Sequence, residues 1–365
     1  MRALAVESLS IRDFRNLASV DLDLGPRLNV LSGENGQGKT NFVEAAYVLA
    51  TSKSFRTSKL AELVMVGATT ASIRGGVCEE GDRRSQSVGL QSGVRAARID
   101  GKRPATLAAY AMRTPAVVFH PGALTLSAGA GAERRRLLDR VALYRSPASL
   151  ADADSYGRAL RARQRVLEER GDQATDLDGW EELVVKHGVA VSLAREEAAA
   201  VLVPAAKAAF ARIGAPGVTL ELRYNRGSPS DADTFRAELA RRRRRDRARR
   251  AATIGPHRDD LTIDLAGRPA RGMASQGQHR AIVLALKLAE IEVVAEARGV
   301  RPMLLLDDVS SELDRARTAS LFASLRQEES QVLLTTTRPE LIDTGELGVG
   351  ERRDFRVVGG QITAM

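Results

Sequence analysis

The sequence predicts an α/β fold that is interrupted by a long, mostly helical insertion. A short apolar strand at residues 28–31 leads into a glycine-rich segment and then into a helical pattern at 40–50. A second apolar strand, at 302–306, ends in two adjacent acids. Between them the sequence becomes rich in Ala, Glu and Arg and follows a helical period. Strands that alternate with helices favour a sheet covered by helices.

The composition is that of a globular chain. It has 365 residues, which suits two domains, with 44% hydrophobic and 28% charged residues. The sequence contains no run of 18 apolar residues, so we expect no membrane span. The apolar stretch at the N-terminus is too short for a signal peptide. The one cysteine, Cys78, cannot form an internal disulfide. We therefore expect a cytoplasmic protein with no membrane contact.

The net charge is +9, from 55 Lys and Arg against 46 Asp and Glu. A basic chain of this kind often binds nucleic acid. A genome rich in G and C, which favours Arg over Lys, would give the same balance. Composition alone leaves both explanations open.

The chain changes texture along its length. Apolar and alternating patterns predict strands at 4–11, 20–24, 71–77, 98–102 and 116–119. Helical patterns run over 156–170 and 180–212, the second expected to kink or split at Pro204. A brief strand at 218–222 and a very basic helix at 235–250 follow, and the β/α texture resumes at 254. We predict one α/β domain, called the head, whose N-terminal part is residues 1–128 and whose C-terminal part is residues 253–365. A helical arm domain at 129–252 is inserted between these two parts.

A phosphate-binding loop is predicted at residues 33–40. The segment fits G-x-x-x-x-G-K-[ST] between a strand and a helix, where backbone N–H groups and the helix N-terminus can surround phosphates. A chance glycine-rich turn is the alternative. We expect Lys39 to reach the β- and γ-phosphates of ATP and Thr40 to ligate Mg²⁺. The expected nucleotide contacts are Gly33, Glu34, Asn35, Gly36, Gln37, Gly38, Lys39, Thr40 and Asn41.

The paired acids Asp307 and Asp308 follow a buried strand. Burying two like charges costs several kcal/mol unless a cation or proton compensates, and Mg²⁺ is such a cation. Asp307 is expected to hold Mg²⁺ through water and Asp308 to polarise the attacking water. One of the two acids could instead cap a helix.

A third motif, Ser275-Gln276-Gly277-Gln278, stands about 30 residues before Asp307. A Ser-x-Gly-Gln turn at a helix start presents a hydroxyl and N–H groups to an anion, although it could equally be a capped helix. In this position it resembles the signature motif of ABC-type ATPases. Asp314 falls where those proteins carry their D-loop.

Further segments make the chain similar to the RecF family of bacterial recombination mediators. They are residues 52–57 (SKSFRT), 255–261 (GPHRDDL), 275–278 (SQGQ), Arg134-Arg135, Leu138-Asp139 and Arg15-Asn16. The resemblance covers essentially the whole chain. It implies an ABC-type ATPase head with a P-loop, of the SMC kind, and an inserted, mostly helical arm domain.

The resemblance also implies a function in recombinational repair, replication restart and the SOS response. It implies ATP and Mg²⁺ as cofactors, ATP-dependent homodimerisation, weak DNA-stimulated ATPase activity, and DNA binding at gaps or junctions. RecO, RecR and the recombinase RecA are the implied partners. In this class the signature loop completes the ATP site of the opposite subunit, so the resemblance implies that Ser275, Gln276, Gly277 and Gln278 contact the ATP bound by the partner. Arg15 and Asn16, which also match the family, are further predicted nucleotide contacts.

Several positions depart from the usual ABC pattern. Asp308 replaces the usual catalytic Glu and is one methylene shorter, so we expect slow hydrolysis. The switch position that often carries His is among Thr335, Thr336 and Thr337. His120 is the candidate for the glutamine-loop position.

A dense basic run is the candidate DNA contact. It comprises Arg241, Arg242, Arg243, Arg244, Arg245, Arg247, Arg249 and Arg250, with Asp246 inside it. The alternative is a solvated helix face, since five consecutive arginines point all around a helix. Arg134–Arg136 could face phosphate or hold the junction of head and arm. His257 could be a ligand or base, or a hydrogen-bonded structural residue.

Two other functions fit parts of the pattern. A nucleotide-binding subunit of a transporter would share the ATP motifs, but the basic helical insertion has no obvious use there. A non-enzymatic scaffold with structural ATP would not need Asp307 and Asp308. A long SMC chromosome protein is excluded, because no extended heptad region is present.

Overall fold

The computed structural model describes residues 1–174, 176–215, 217–308, 330–342 and 350–365. The chain forms two compact units. The first contains residues 1–123 and 294–365, and the second contains 124–293. This division by contacts differs from the arm of 129–252 expected from the sequence. The expected domain boundaries stay a prediction.

The described residues form strands and helices in the following order. The strands are β1 (Leu4–Phe14), β2 (Leu17–Asp23), β3 (Leu28–Ser32), β4 (Thr70–Glu79), β5 (Asp82–Gln91), β6 (Val94–Ile99), β7 (Ala116–Phe119), β8 (Leu220–Asn225), β9 (Asp260–Leu265), β10 (Arg268–Pro269), β11 (Met303–Leu306), β12 (Val332–Thr336), β13 (Arg352–Val358) and β14 (Gln361–Ala364). The helices are α1 (Lys39–Thr51), α2 (Leu107–Ala111), α3 (Thr125–Ala128), α4 (Ala132–Arg145), α5 (Ala148–Arg170), α6 (Asp178–Ile213), α7 (Ala232–Arg249) and α8 (Gln276–Arg298).

A mostly parallel sheet forms the base of the first unit. Its order is β14-β13-β3-β12-β11-β7, and every pairing in it is parallel except that between β13 and β14. β7, β11 and β12 are buried at every position, as continuous apolar runs in a parallel sheet should be. Because β3, β7, β11 and β12 run in one direction, the segments after them meet at one edge of the sheet.

The second sheet of this unit is antiparallel, in the order β2-β1-β4-β5-β6. Buried and exposed positions alternate along β4, which shows that one face of the sheet is covered. α1 contacts strands of both sheets, and its side chains from Phe42 to Ala50 are buried. One hydrophobic core therefore joins the two sheets through α1.

The second unit packs long helices against a small antiparallel sheet, β10-β9-β8. α6 packs along α5, and it continues through Pro204 rather than splitting there. Buried ion pairs hold these helices together. Arg163 of α5, which is 1% exposed, donates to Glu181 of α6 at 3.0 Å and to Asp246 of α7 at 2.9 Å.

A second buried charge cluster ties α4 to α8. Glu290 accepts hydrogen bonds from Arg140 Nε at 2.6 Å and from Lys287 Nζ at 2.8 Å. Despite burial, which opposes ionisation, Arg140 and Lys287 lower the pKa of Glu290 to about 2. Glu290 is therefore a paired carboxylate at neutral pH.

Candidate functional site

The predicted phosphate loop lies after β3 at the carboxyl edge of the parallel sheet and runs into α1. Glycine is required at two of its positions. Gly33 has φ 155°, and a side chain there would collide with the Val357 carbonyl oxygen. Gly38 has φ 116°, and a Cβ there would lie 2.9 Å from Asn16 Oδ1. The loop conformation thus depends on residues far away in the sequence.

Lys39 is folded back into this loop and is 7% exposed. Its Nζ donates to the carbonyl oxygens of Gly33 and Glu34, each at 2.7 Å. Burial lowers the pKa of Lys39, while the nearby carboxylates of Asp308 and Asp307 oppose that shift. The ammonium therefore stands inside the loop, where it can exchange carbonyl oxygens for phosphate oxygens.

Thr40 and Asp307 come together from positions 267 residues apart. Thr40 Oγ1 donates to Asp307 Oδ1 at 2.8 Å, and Asp307 is 3% exposed. Burial raises the pKa of Asp307, and the adjacent Asp308 raises it further, against the lowering effect of the Thr40 and Thr335 hydrogen bonds. A buried carboxylate beside a hydroxyl is a set of hard oxygen ligands, which fits Mg²⁺. Roles in metal binding stay predictions for both residues.

Asp308 adopts a left-handed backbone conformation, with φ 50°. Its backbone N donates to Thr335 Oγ1 at 2.9 Å, and the same hydroxyl donates to Asp307 Oδ1 at 2.9 Å. Thr335, at the end of β12, is 1% exposed. Its one hydroxyl proton is therefore used within the site. Of the three threonines considered for the switch position, Thr337 is the exposed one.

The other predicted contacts in the first unit form a network beside the loop. Asn41 Nδ2 donates to Asn16 Oδ1 at 2.7 Å, and Arg56 donates to Asn41 Oδ1 at 2.7 Å. Arg15 donates to both carboxylate oxygens of Glu44, at 3.0 and 3.1 Å. These residues brace the start of α1. Direct nucleotide contact by Arg15, Asn16 and Asn41 stays a prediction.

Sequence reasoning missed Glu44, which lies at the centre of this network. Its carboxylate is fully buried and accepts from Arg15, Arg56 and Ser54. The available signal was a lone acid on the otherwise apolar face of α1. Gln37 was predicted as a ligand, and here its side chain accepts from Gly359 N at 2.6 Å. The turn between β13 and β14 thus supports the phosphate loop.

The signature-like segment lies in the second unit, at the start of α8. Ser275 Oγ accepts from Gln278 N at 3.2 Å, and Gln278 Oε1 accepts from Ser275 N at 2.8 Å. This reciprocal pair is a capping box. Ser275 and Gln276 are exposed, and Gly277 is half-buried. The capped-helix interpretation is therefore realised, and contact with a partner's ATP stays a prediction.

Two further positions predicted from the sequence are His120 and Asp314. His120 follows β7 and packs its ring against Phe55, with ring centroids 5.0 Å apart. Asp314, the expected D-loop residue, lies outside the described residues.

The basic run on α7 is partly neutralised. Arg241 and Arg242 pair with Glu238, and Arg243 pairs with Asp178 and Glu181. Asp246 faces inward to Arg163. In the part of the chain that the structure describes, the exposed residues Arg244, Arg245 and Arg249 have no acidic partner.

The residues after Gly255 have structural partners. Tyr156 donates to His257 Nδ1 at 2.7 Å while His257 Nε2 donates to the Ala252 carbonyl, and burial lowers the pKa of His257. This geometry fits a neutral imidazole. No metal-binding group of three or more His, Cys, Asp or Glu side chains occurs among the described residues.

Arg134 and Arg135 also bond within the second unit. Arg134 donates to Asp260 with two nitrogens, at 2.8 and 2.9 Å, and Arg135 donates to the Asp259 carbonyl. Asp259 itself is fully buried and accepts from Arg195, Tyr224 and Gly227 N. The structural interpretation of Arg134 and Arg135 is therefore favoured over phosphate contact.

No helix within the described ranges is long and apolar enough to cross a bilayer.

Comparisons with known proteins agree with this geometry. A family model described as RecF/RecN/SMC N terminal domain matches residues 5–353. The chain is 42% identical to the DNA replication and repair protein RecF of Anaeromyxobacter sp. (strain Fw109-5), over 98% of each chain. It is 41% identical to the protein of the same name from Myxococcus xanthus (strain DK1622), over 94% of this chain and 92% of that one.

Solved structures show the same relationship. A structure described as the recombination mediator protein RecF-ATPrS in the RecFOR pathway matches 100% of this chain and 98% of that chain, with 25% identity and a TM-score of 0.88. An Smc head bound to the C-winged helix domain of ScpA matches in fold alone, with a TM-score of 0.54 and 14% identity. The predicted α/β ATPase head of the SMC kind is confirmed. The chain belongs to the RecF family of DNA replication and repair proteins.

Proposed function

We propose that this chain is an ATP-dependent DNA-binding protein of recombinational repair and replication restart. ATP and Mg²⁺ bind at the phosphate loop, ATP joins two copies of the chain, and hydrolysis releases them. The observation that carries the proposal is the convergence of Lys39, Thr40 and Asp307 at one edge of the sheet. RecF relatives and the RecF-ATPrS structure support it, whereas nothing in them favours a transporter subunit.

Each residue of the site has a separate role in ATP hydrolysis. Lys39 binds phosphate oxygens, and Thr40 and Asp307 hold Mg²⁺, which when bound neutralises charge on the transferring phosphoryl group. Asp308 orients the attacking water and accepts its proton. Since Asp308 is one methylene shorter than the glutamate usual in ABC-type ATPases, it holds that water less closely. We therefore propose slow turnover that DNA accelerates.

The composite site requires the signature segment of a second copy. Ser275 is an exposed N-cap on a 23-residue helix, where free N–H groups and the helix dipole favour an anion. We propose that Ser275, Gln276, Gly277 and Gln278 meet the γ-phosphate bound by the partner. Two identical sites then form across a two-fold axis.

The exposed arginines of α7 without an acidic partner are proposed DNA contacts. Phosphate contact by such side chains is sequence-independent and weakens steeply with salt. The family partners RecO, RecR and RecA would act with the DNA-bound dimer at gaps.

Hydrolysis measured with the Asp308→Asn variant tests the proposal. The variant should bind Mg-ATP as the wild type does and release phosphate at least 100-fold more slowly, roughly the size of general-base contributions. Wild-type protein that releases no phosphate with or without DNA would reject the ATPase and favour a scaffold with structural ATP.

A further inference from the structure

Thr335 links the two acids that follow β11. It is the penultimate residue of β12, one strand away from the phosphate loop's own strand. Its hydroxyl donates to Asp307 Oδ1 and accepts from Asp308 N, each at 2.9 Å. One side chain therefore contacts both Asp307, which is expected to hold Mg²⁺ through water, and Asp308, the expected catalytic acid.

The Thr335 hydroxyl has no proton left to donate to another group in this arrangement. A hydroxyl has one proton to donate, and that proton points to Asp307. Thr335 is 1% exposed, so no water can easily replace a lost bond. The β11–β12 pairing is parallel and in register up to Leu306 and Leu334, which fixes the position of Thr335 beside Asp307.

Asp307 also accepts from Thr40 Oγ1, at 2.8 Å. A hydroxyl that binds Mg²⁺ through an oxygen lone pair can still donate its proton, so two hydroxyls orient the Asp307 carboxylate. Thr335 is the one of these two residues that is not itself an expected metal ligand. It would also hold Asp308 in its left-handed conformation, which costs a non-glycine residue about 1–3 kcal/mol when unsupported.

We infer that Thr335 is a positioning residue that sets the orientation of Asp307 toward Mg²⁺ and the backbone of Asp308 toward the attacking water. The inference rests on the proposed function. It assigns Thr335 a role toward the metal ligand and the catalytic acid, and leaves γ-phosphate contact to another residue.

The test compares Thr335→Val, which keeps the shape and removes the hydroxyl, with Thr335→Ser, which keeps the hydroxyl. Binding of a fluorescent ATP analogue is titrated with Mg²⁺, and phosphate release is measured in parallel. Hydrogen-bonded groups that surround the direct ligands of a metal typically contribute 10- to 100-fold in metal affinity or activity. Thr335→Val should therefore raise the half-saturating Mg²⁺ concentration about 10- to 100-fold and lower kcat, while binding of the analogue in EDTA stays at the wild-type level.

Thr335→Ser should stay within about threefold of the wild type, given that range for the full loss. Thr51→Val is the matched control, since its buried hydroxyl bonds to the Tyr47 carbonyl at the far end of α1. It should leave the Mg²⁺ requirement unchanged. A wild-type Mg²⁺ requirement in Thr335→Val, or equal damage in Thr335→Ser, would overturn the inference. Wild-type protein with no Mg²⁺-dependent ATP binding would overturn the proposed function itself.

Discussion

Glu44 offers a sharp test of how the phosphate loop is supported. Its fully buried carboxylate accepts two hydrogen bonds from Arg15, one from Arg56 at 3.0 Å and one from Ser54 at 2.5 Å. The substitution Glu44→Gln keeps the shape of the side chain and removes its charge. Two guanidinium groups are then left without their anion.

The expected cost follows from burial. Removing one partner of a buried ion pair costs about 3–5 kcal/mol. The Arg15 and Arg56 side chains are 19% and 40% exposed, so they can recover some hydration, and the lower end of about 3 kcal/mol applies. At about 2–4 °C per kcal/mol, the thermal midpoint should fall by roughly 6–12 °C.

The assay is thermal and urea-induced unfolding followed by circular dichroism, with ATP affinity measured on the same samples. ATP affinity should also fall, because Arg56 braces Asn41 beside the loop. Glu62→Gln is the matched control, since its carboxylate is exposed and its ion pair with Lys59 is long, at 3.6 Å. A Glu44→Gln variant as stable as the Glu62→Gln control would refute the reasoning.

Three further predictions concern single side chains or small sets. Asp307→Asn should raise the thermal midpoint of unfolding without nucleotide, because the pKa of Asp307 is raised in the folded state and its ionised form therefore destabilises that state. The variant should also gain no stability from Mg-ATP, and a midpoint below that of the wild type would contradict the prediction. Glu290, whose pKa is lowered to about 2, contributes stability above pH 4.5 that is lost as pH falls through 2, so acid titration should destabilise the wild type more steeply than Glu290→Gln over that range. Replacing the exposed α7 arginines by Ala should weaken DNA binding and reduce its salt slope by about 0.9 per lost duplex phosphate contact, and an equal loss in the control would contradict DNA contact on α7. The α7 set is Arg244, Arg245 and Arg249, and the control set of exposed, ion-paired arginines outside α7 is Arg12, Arg83 and Arg170.

The parts of the site that follow a strand in the sequence could be predicted from it. The phosphate loop and Asp307 each combine an apolar strand with a local motif, and parallel strands bring such ends to one edge. The contact between Thr40 and Asp307 is thus an expected consequence of the fold. The capping box at Ser275 was likewise one of two open interpretations, since Gln three residues after Ser is its signature.

The rest depended on tertiary pairing. Neither the charge run of α7 nor the acids of α6 reveal alone that Arg243 pairs with Glu181 while Arg244 stays exposed. Pro204 predicts a kink or a split in its helix, yet α6 is not split, because packing against neighbouring elements outweighs the lost hydrogen bond. Thr335 gained its partners only when β12 paired with β11.

The central claim is that the ATP-binding site of one chain is completed by Ser275 of a second copy. Two inactive variants test it when mixed: Lys39→Ala, which lacks the phosphate-loop ammonium, and Ser275→Arg, which blocks the signature segment. Each alone should fail to double in mass by light scattering with Mg-ATP and should release little phosphate. The mixture holds one intact composite site in each mixed pair, so it should form dimers and recover a substantial part of the wild-type rate. Doubling of mass by Ser275→Arg alone, or a mixture no more active than its components, would contradict the account.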